Sequence, residues 1–282
     1  ELLMYLTEQS EASDAERLAT ILMAPIESDA TQPKAREAAC RWAGRTQRWS
    51  MLALASESET TGQVDPARTM AVERLFAEGL MQLGRVDEAR RWWNHIVDTR
   101  HATDFSTLLR CAEAETSVGT DGSAARKRID AARKAAGEAR YENALVDLLE
   151  AELSIRRGEF DIARGLLEQV VRLNQGDAGL RGRAQWLIGE THYLQHHFAE
   201  AIESYRRVEG IDPGGMWVSA SLIQAGKSFE QLGRTREATI CYGNLLTRFP
   251  ETSHADLARR RLAAITPNSG PSVSPPNVPK RR

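Results

Sequence analysis

The feature that most constrains the fold is a stretch of helix-forming sequence that occurs twice. The segments FAEAIESYRRVEGIDP (198–213) and TREATICYGNLLTRFP (235–250) align without a gap. An alanine, a tyrosine, an aliphatic residue and the final proline recur at matching places, each pair 37 residues apart. A period of roughly 20–50 residues indicates a solenoid, because a single unit cannot bury its apolar face without stacked neighbours.

The same element also occurs earlier in the chain, around short polar turns. The segments QLGRVDEA (82–89), RRGEFDIA (156–163), LQHHFAEA (194–201) and QLGRTREA (231–238) all end in alanine, and a degenerate version, VGTDGSAA, lies at 118–125. Most of these turns contain glycine, which ends a helix readily in the left-handed conformation. The five alanines are 36 to 38 residues apart, so we expect five helix pairs.

A residue twelve positions before each alanine completes the pattern. It is small in four repeats and a glutamate in the other: Ala77, Ala151, Gly189, Gly226 and Glu113. Helices whose axes pack about 8–10 Å apart have little space between them, so we expect a small residue on each helix at the crossing. The predicted fold is therefore all-α, a right-handed α-solenoid of stacked antiparallel helix pairs.

Composition excludes several other classes of protein. The 282 residues carry a formal net charge of −2, and 41% of them are hydrophobic, so no global field attracts nucleic acid. No apolar run approaches the roughly 18 residues of a membrane span. The cysteines, Cys40, Cys111 and Cys241, are too few and too far apart for a disulfide framework or a metal site. We predict no cofactor, no nucleic-acid partner and no membrane insertion by this segment.

Proline placement and the repeats divide the chain into four predicted regions. Residues 1–66 are interpreted as divergent N-terminal helical repeats, and within them residues 33–56 form either one long helix or two short ones about Gly44. Residues 67–252 form the solenoid and 253–265 a capping helix with the ARRR sequence on its exposed side. Residues 266–282 contain five prolines, which predicts a disordered tail.

Two repeats resemble the tetratricopeptide-repeat (TPR) family. The residues that carry the resemblance are Gly189, Ala201, Tyr205, Val208 and Pro213 in one repeat and Gly226, Ala238, Tyr242, Leu245 and Pro250 in the next. The sequence departs from the family where a tryptophan is usual, since Gln185 and Leu222 stand there, and where His192 replaces a tyrosine. The resemblance covers about residues 68–265 and implies a non-catalytic scaffold that binds a protein or peptide.

The C-terminal repeats also resemble a narrower group. The sequence FPETSHADLARRRLAAI (249–265) is similar to the ends of bacterial envelope TPR proteins, such as the Tol–Pal-associated cell-division coordinator and the lipoprotein of outer-membrane β-barrel assembly. This resemblance implies a scaffold in a bacterial envelope assembly and favours a periplasmic or cell-envelope location over the cytoplasm. The alternative is a regulatory or sensor module of a larger signalling or catalytic polypeptide, since the chain starts in mid-structure.

The histidines require a choice between a metal site and a structural role. His192 and His196 are four residues apart, which places them on one helical face, and His197 follows. No zincin-type glutamate accompanies them, and His196 and His197 fall in the turn where other repeats carry glycine. We therefore predict no metal site. The sequence also contains no phosphate-binding or nucleophile motif, so we predict that the chain is not an enzyme.

The family resemblance implies a concave groove lined by the first helix of each pair. Trp186 and Tyr193 have the largest apolar areas in the predicted lining and share a face, although Trp186 alternatively packs against the neighbouring repeat. The lining has mixed charge, which favours an extended or helical peptide, and it lacks the Lys–Asn set of chaperone-binding clamps. The predicted groove residues are Arg74, Glu78, Met81, Arg110, Glu152, Arg156, Arg183, Trp186, Glu190, Tyr193, Ile223, Lys227 and Glu230.

Overall fold

The computed structural model describes residues 16–20, 32–57, 68–118, 122–173 and 176–265. Within these ranges every regular element is an α-helix, which confirms the all-α prediction. The predicted tail at 266–282 and most of the predicted N-terminal repeats before residue 32 lie outside the described residues.

After a helical stretch at residues 16–20, the described helices follow one another through short turns. They are α1 (Gln32–Arg45), α2 (Trp49–Glu57), α3 (Met70–Gln82), α4 (Val86–Asp98), α5 (Phe105–Val118), α6 (Gly122–Ala136), α7 (Arg140–Arg156), α8 (Phe160–Leu173), α9 (Ala178–Leu194), α10 (Phe198–Ile211), α11 (Met216–Gln231), α12 (Thr235–Arg248) and α13 (Ser253–Ile265).

The chain divides into two compact units, Glu1–Arg157 (unit 1) and Gly158–Arg282 (unit 2). In unit 1 each helix from α1 to α7 packs against the next, and α1 and α5 also contact α3 and α7, respectively. In unit 2 the helices from α8 to α13 pack in sequence, and α11 contacts both α9 and α13. Each unit is therefore a stack in which consecutive helices pack together and some alternate helices also touch, as in a solenoid.

Residues 33–56 form two short helices rather than one long one. The chain breaks between α1 and α2, where Gln47 adopts a positive φ of 57°. Gly44 remains inside α1, where a Cβ atom would lie 3.0 Å from the Leu75 side chain of α3. The glycine thus permits close helix packing, and the break falls just after it.

The turns within the pairs share one geometry, whether or not they contain glycine. Gly84 ends α3 with a φ of 73°, and His196 takes the same conformation after α9 with a φ of 61°. There the His196 N–H donates to the Tyr193 carbonyl (3.0 Å) and the His197 N–H to the His192 carbonyl (2.9 Å). These bonds satisfy the last carbonyl groups of the helix, so His196 has the turn role that the sequence predicted.

The small residues of the repeat act differently from the prediction. The five repeat alanines are buried, at most 1% exposed. However, a Cβ atom at Gly189 would lie 2.3 Å from Cε1 of Tyr205, and one at Gly226 would lie 2.3 Å from Cε1 of Tyr242. At these crossings the glycine faces a tyrosine ring rather than another small residue, because the ring fills the space that the absent side chain leaves.

Unit 1 buries a charged cluster that the sequence did not reveal. Glu73 is fully buried, and its carboxylate lies 2.9 Å from Arg68 Nε, 3.0 Å from Arg100 Nε and 3.4 Å from His95 Nε2. The Arg68 guanidinium also lies over the Trp92 ring, 5.0 Å from its centroid. A carboxylate removed from water requires such partners, so the cluster ties α3 and α4 to the turns that flank them.

The other expectations concerned disulfides, membrane-spanning helices and metal sites. None of the three cysteines forms a disulfide, and burial raises the pKa of the Cys111 thiol to about 12. In the part of the chain that the structure describes, no helix is long and apolar enough to cross a membrane. Over the same residues, no three His, Cys, Asp or Glu side chains are grouped as metal ligands would be.

Candidate functional site

In unit 1 the structure brings two predicted groove residues together. Arg110 on α5 lies with its Nε 3.5 Å from Glu78 Oε2 on α3, and it also donates to Glu113 (2.8 Å). Arg74, one turn before Glu78, donates to Asp104 in the turn before α5 (2.5 Å). These contacts join the exposed faces of two successive first helices.

The pKa of Asp104 reflects this environment. Burial acts to raise it, but hydrogen bonds from Ser106 and Thr107 and the positive charge of Arg74 outweigh burial and hold it below its usual range.

Of the other predicted residues in unit 1, Glu152 is half-buried and Arg156 is exposed at the end of α7. Met81 is half-buried and packs against the core, so it contributes little to an open groove.

In unit 2 a hydrogen-bond network crosses the neighbouring faces of α9 and α11. Glu190 Oε1 accepts hydrogen bonds from the Tyr205 hydroxyl (2.6 Å) and from Gln224 Nε2 (2.6 Å). Lys227 Nζ in turn donates to Gln224 Oε1 (2.6 Å) and lies 5.2 Å from the centroid of the Tyr193 ring. Three predicted groove residues, Glu190, Tyr193 and Lys227, are therefore brought into one connected surface.

A second tyrosine–glutamate pair links α11 to α12 and α13. Glu230 accepts a hydrogen bond from the Tyr242 hydroxyl and another from Arg261 (3.0 Å). The predicted exposure of the ARRR sequence is correct for Arg259 and Arg260, which point to solvent. It is wrong for Arg261, which is half-buried because it reaches back to the Glu230 carboxylate.

Both buried tyrosines are held as hydrogen-bond donors. Burial raises the pKa of Tyr205 well above its usual range, and the Glu190 carboxylate raises it further. Burial and the Glu230 carboxylate have the same effect on the pKa of Tyr242. The hydroxyl groups therefore stay protonated at neutral pH and keep the two carboxylates fixed on this face.

Trp186 packs between repeats, the alternative that the sequence left open. Its ring lies 5.1 Å from that of Trp217 on α11, at an angle of 34°. Arg183 lies over the Trp217 ring, 5.9 Å from the centroid. The Trp186 indole nitrogen is buried and has no hydrogen-bond partner among the described residues, so the side chain serves packing more than recognition.

Ile223 does not belong to the predicted groove. It is 3% exposed and lies in a core cluster with Ile202, Phe229 and Tyr242. Ala255 and Ala258 of α13 belong to the same cluster, so the packing of α13 against α11 helps to bury Ile223.

Sequence reasoning missed two members of this surface, Gln224 and Arg261, and also Trp217, which packs on Trp186. Trp217 gave a weak signal, since a tryptophan in the first turn of a helix is conspicuous beside Gly214 and Gly215. Gln224 and Arg261 stand outside the groove positions that the resemblance supplied. Only the stacking of α9, α11 and α13 reveals that they join it.

The fold and this surface together define an α-helical repeat protein that presents fixed polar and aromatic groups. Family models described as "Tetratricopeptide repeat" match residues 148–215 and 220–252. These two segments therefore match the tetratricopeptide-repeat family, in agreement with the resemblance seen in the sequence. Such repeats form protein-interaction scaffolds and are generally non-catalytic, in agreement with the prediction that the chain is not an enzyme.

Solved structures support the same fold at low sequence identity. A tetratricopeptide repeat protein from Parabacteroides merdae is 11% identical, with a TM-score of 0.67, and the alignment covers 94% of this chain and 96% of that one. PilW, a type IV pilus biogenesis factor, is 13% identical, with a TM-score of 0.57 over 82% of this chain and 100% of its own. No curated protein matches the sequence.

Proposed function

We propose that this chain binds a segment of a partner protein on the shared surface of α9, α11 and α13. We name this surface the α9–α11 face and define it by Glu190, Tyr193, Gln224, Lys227, Glu230 and Arg261. The observation that carries the proposal is the hydrogen-bond network from Tyr205 through Glu190 and Gln224 to Lys227. Side chains fixed before binding lose less conformational entropy on association, so such a surface binds more tightly than a mobile one.

The chemistry of this face suits a peptide with both polar and apolar anchors. Two carboxylates, Glu190 and Glu230, alternate with the cations of Lys227 and Arg261. Tyr193 is half-buried between them and offers an aromatic ring, a residue type that often dominates interface energies. An extended or helical segment that carries both signs of charge and an apolar side chain complements this arrangement.

The polar contacts in unit 1 give a second, weaker candidate surface. Arg74, Glu78 and Arg110 lie on successive first helices, and their ion pairs are largely accessible to solvent. Exposed ion pairs contribute little to stability, so these side chains are free to exchange partners at small cost. We propose that unit 1 offers these side chains as a binding surface of its own.

We place the scaffold in a bacterial envelope assembly. The support is the C-terminal sequence pattern at 249–265, which resembles envelope TPR proteins. The similarity to PilW supports the fold alone at 13% identity, so it adds no functional argument.

A pair of matched variants tests the α9–α11 face. The variant Tyr193→Ala/Lys227→Ala removes an aromatic ring and a cation from the proposed surface. The control, Tyr141→Ala/Lys134→Ala, removes the same two residue types from exposed positions in unit 1. Each immobilised protein is exposed separately to envelope and cytosolic extracts of the source cells, and retained proteins are identified by mass spectrometry.

The proposal predicts an envelope protein that the native chain and the control retain and that the face variant loses. Retention by all three proteins would contradict the assignment of the face. A partner that depends on the face but is cytosolic would keep the binding site and move the chain to the alternative role of a regulatory module.

A further inference from the structure

Unit 1 contains a cleft where α5, α6 and α7 meet, with a volume of about 450 Å³. This volume falls within the roughly 300–1,000 Å³ of pockets that hold small ligands. Among the described residues the polar part of its lining includes Glu115, Arg126, Arg156 and Arg157, and the apolar part includes Leu153. The cleft includes the end of α7, where Arg156 and Arg157 line it.

The lining has an excess of positive charge. Three arginines face one carboxylate, a difference of two charges. The Glu115 carboxylate is 7% exposed and already accepts a hydrogen bond from Asn94 Nδ2 (2.5 Å), while Arg90 lies 3.7 Å away. Its charge is therefore engaged from outside the cleft and compensates the arginines only in part.

The arginines of the lining differ in how they are held. Arg126 donates to Glu150, which also accepts a hydrogen bond from Arg133 (2.7 Å). Burial acts to raise the pKa of Glu150, but these bonds outweigh it and hold the pKa below the usual range. Arg156, in contrast, has no hydrogen bond or ion pair with any described residue and is exposed at the end of α7.

We propose that this cleft binds an acidic side chain of a partner protein, with the carboxylate on Arg156 and its neighbours and the aliphatic stem against Leu153. Arginine is suited to this role because its planar guanidinium forms two parallel hydrogen bonds with a carboxylate. The inference rests on the proposed protein-binding function and adds a second contact that selects acidic sequences.

A synthetic peptide tests the inference directly on the full chain. The probe is a fluorescein-labelled peptide of alternating glutamate and serine, and the matched peptide has glutamine in place of glutamate. Fluorescence anisotropy measures the affinity of each peptide for the native protein, for Arg156→Gln and for Arg140→Gln. Arg140 is exposed on the same helix, about 24 Å away at 1.5 Å per residue, so its loss changes the net charge equally.

The expected result is that only the glutamate peptide binds and that Arg156→Gln weakens it by about tenfold, as loss of a charged hydrogen bond does. Arg140→Gln leaves the affinity within about twofold of native, and Arg156→Lys gives an intermediate value because it keeps the charge without the fork. Circular dichroism confirms that each variant is folded.

Three results would overturn the inference. They are equal binding of the two peptides, equal loss of affinity in Arg156→Gln and Arg140→Gln, or displacement of the peptide by inorganic phosphate at no higher concentration than the peptide itself. The last would assign the cleft to a phosphate group. If the inference fails while partner retention still depends on Tyr193 and Lys227, the proposed function stands without it.

Discussion

The two units of the chain build the same helical stack around different polar interiors. Unit 1 contains a fully buried carboxylate, Glu73, held by Arg68 and Arg100. Unit 2 contains two buried tyrosines, Tyr205 and Tyr242, whose neutral hydroxyls reach outward to carboxylates on the proposed binding face. The repeat pattern therefore determines the backbone but not which polar groups are buried inside it. In unit 2 the buried hydroxyls also hold side chains on the proposed binding face.

The two units also differ in how their stability responds to pH. In unit 1, arginine partners hold the pKa values of Asp98 and Glu150 below their usual range. Such groups stabilise the fold above the pKa of the unfolded state, about 4, and the contribution is lost as the pH falls. In unit 2 the pKa values of Tyr205 and Tyr242 are raised, so their contribution is present below a pH of about 10 and declines above it.

Removal of the buried charge in unit 1 is expected to have the largest effect. Glu73→Gln removes the buried carboxylate that Arg68 and Arg100 share, and we expect a loss of about 3–5 kcal/mol in the free energy of unfolding. Urea unfolding followed by circular dichroism measures the change. The control is Glu88→Gln, which breaks a more exposed pair with Arg85 and costs less than about 1 kcal/mol. Similar losses in both variants would contradict a special role for the cluster.

The glycine–tyrosine crossing of unit 2 provides the next largest effect. Gly189→Ala forces a Cβ atom against the Tyr205 ring, and such overpacking costs about 1–3 kcal/mol. In the Tyr205→Leu background the same substitution should cost much less, since the ring is gone. Gly243→Ala on α12 is the control, because nothing lies within 4 Å of its Cβ position, and it should stabilise the helix slightly. An unchanged cost in the two backgrounds would refute the steric explanation.

Removal of one buried hydroxyl tests how much the polar interior of unit 2 contributes to stability. Tyr205→Phe removes the hydrogen bond to Glu190 and is expected to cost about 1.5–3 kcal/mol at neutral pH, or less if water replaces the hydroxyl. The variant should also lose part of the decline in stability above a pH of about 10, since the unfolded state then has one fewer tyrosine to ionise. Urea unfolding at neutral and alkaline pH measures both. Parallel pH profiles for variant and native protein would show that Tyr205 does not contribute.

The smallest effect is expected at the surface of unit 1. Asp98→Asn breaks the pair with Arg128, but Arg128 keeps its bond to Asn94 (2.8 Å), and the Asp98 side chain is 56% exposed. We expect a loss below about 1 kcal/mol that is present at neutral pH and disappears as the pH falls below about 4. Melting temperatures at the two pH values check this, and a loss that persists in acid would point to packing instead of charge.

Much of the fold was predictable because its signals are periodic. The alanines at 89, 125, 163, 201 and 238 mark the second helices, and all five are buried. The turn role of His196 followed from its alignment with glycine. The buried charges were not predictable, because Arg68 and Arg100 are 32 residues apart and meet at Glu73 only through folding.

The sequence predicted a residue of the candidate site only where that residue stands at a position that the family pattern assigns to the groove. Glu190, Tyr193 and Lys227 stand at positions that the resemblance names, whereas Gln224, which joins them, does not. Trp186 and Ile223 share the same positional logic but are absorbed by packing, since Trp217 and α13 cover them. Burial by a neighbouring helix depends on contacts that a repeat pattern does not encode.

The most direct test of the account places a photo-crosslinking residue on the α9–α11 face. Benzoylphenylalanine replaces Tyr193 in one protein and the exposed Tyr141 in a second, and both are irradiated in cells of the source organism. We expect a discrete crosslinked product from position 193 and none from position 141, and mass spectrometry of that product identifies the partner. A product from position 141 alone, or the same product from both positions, would contradict the claim that this face binds the partner.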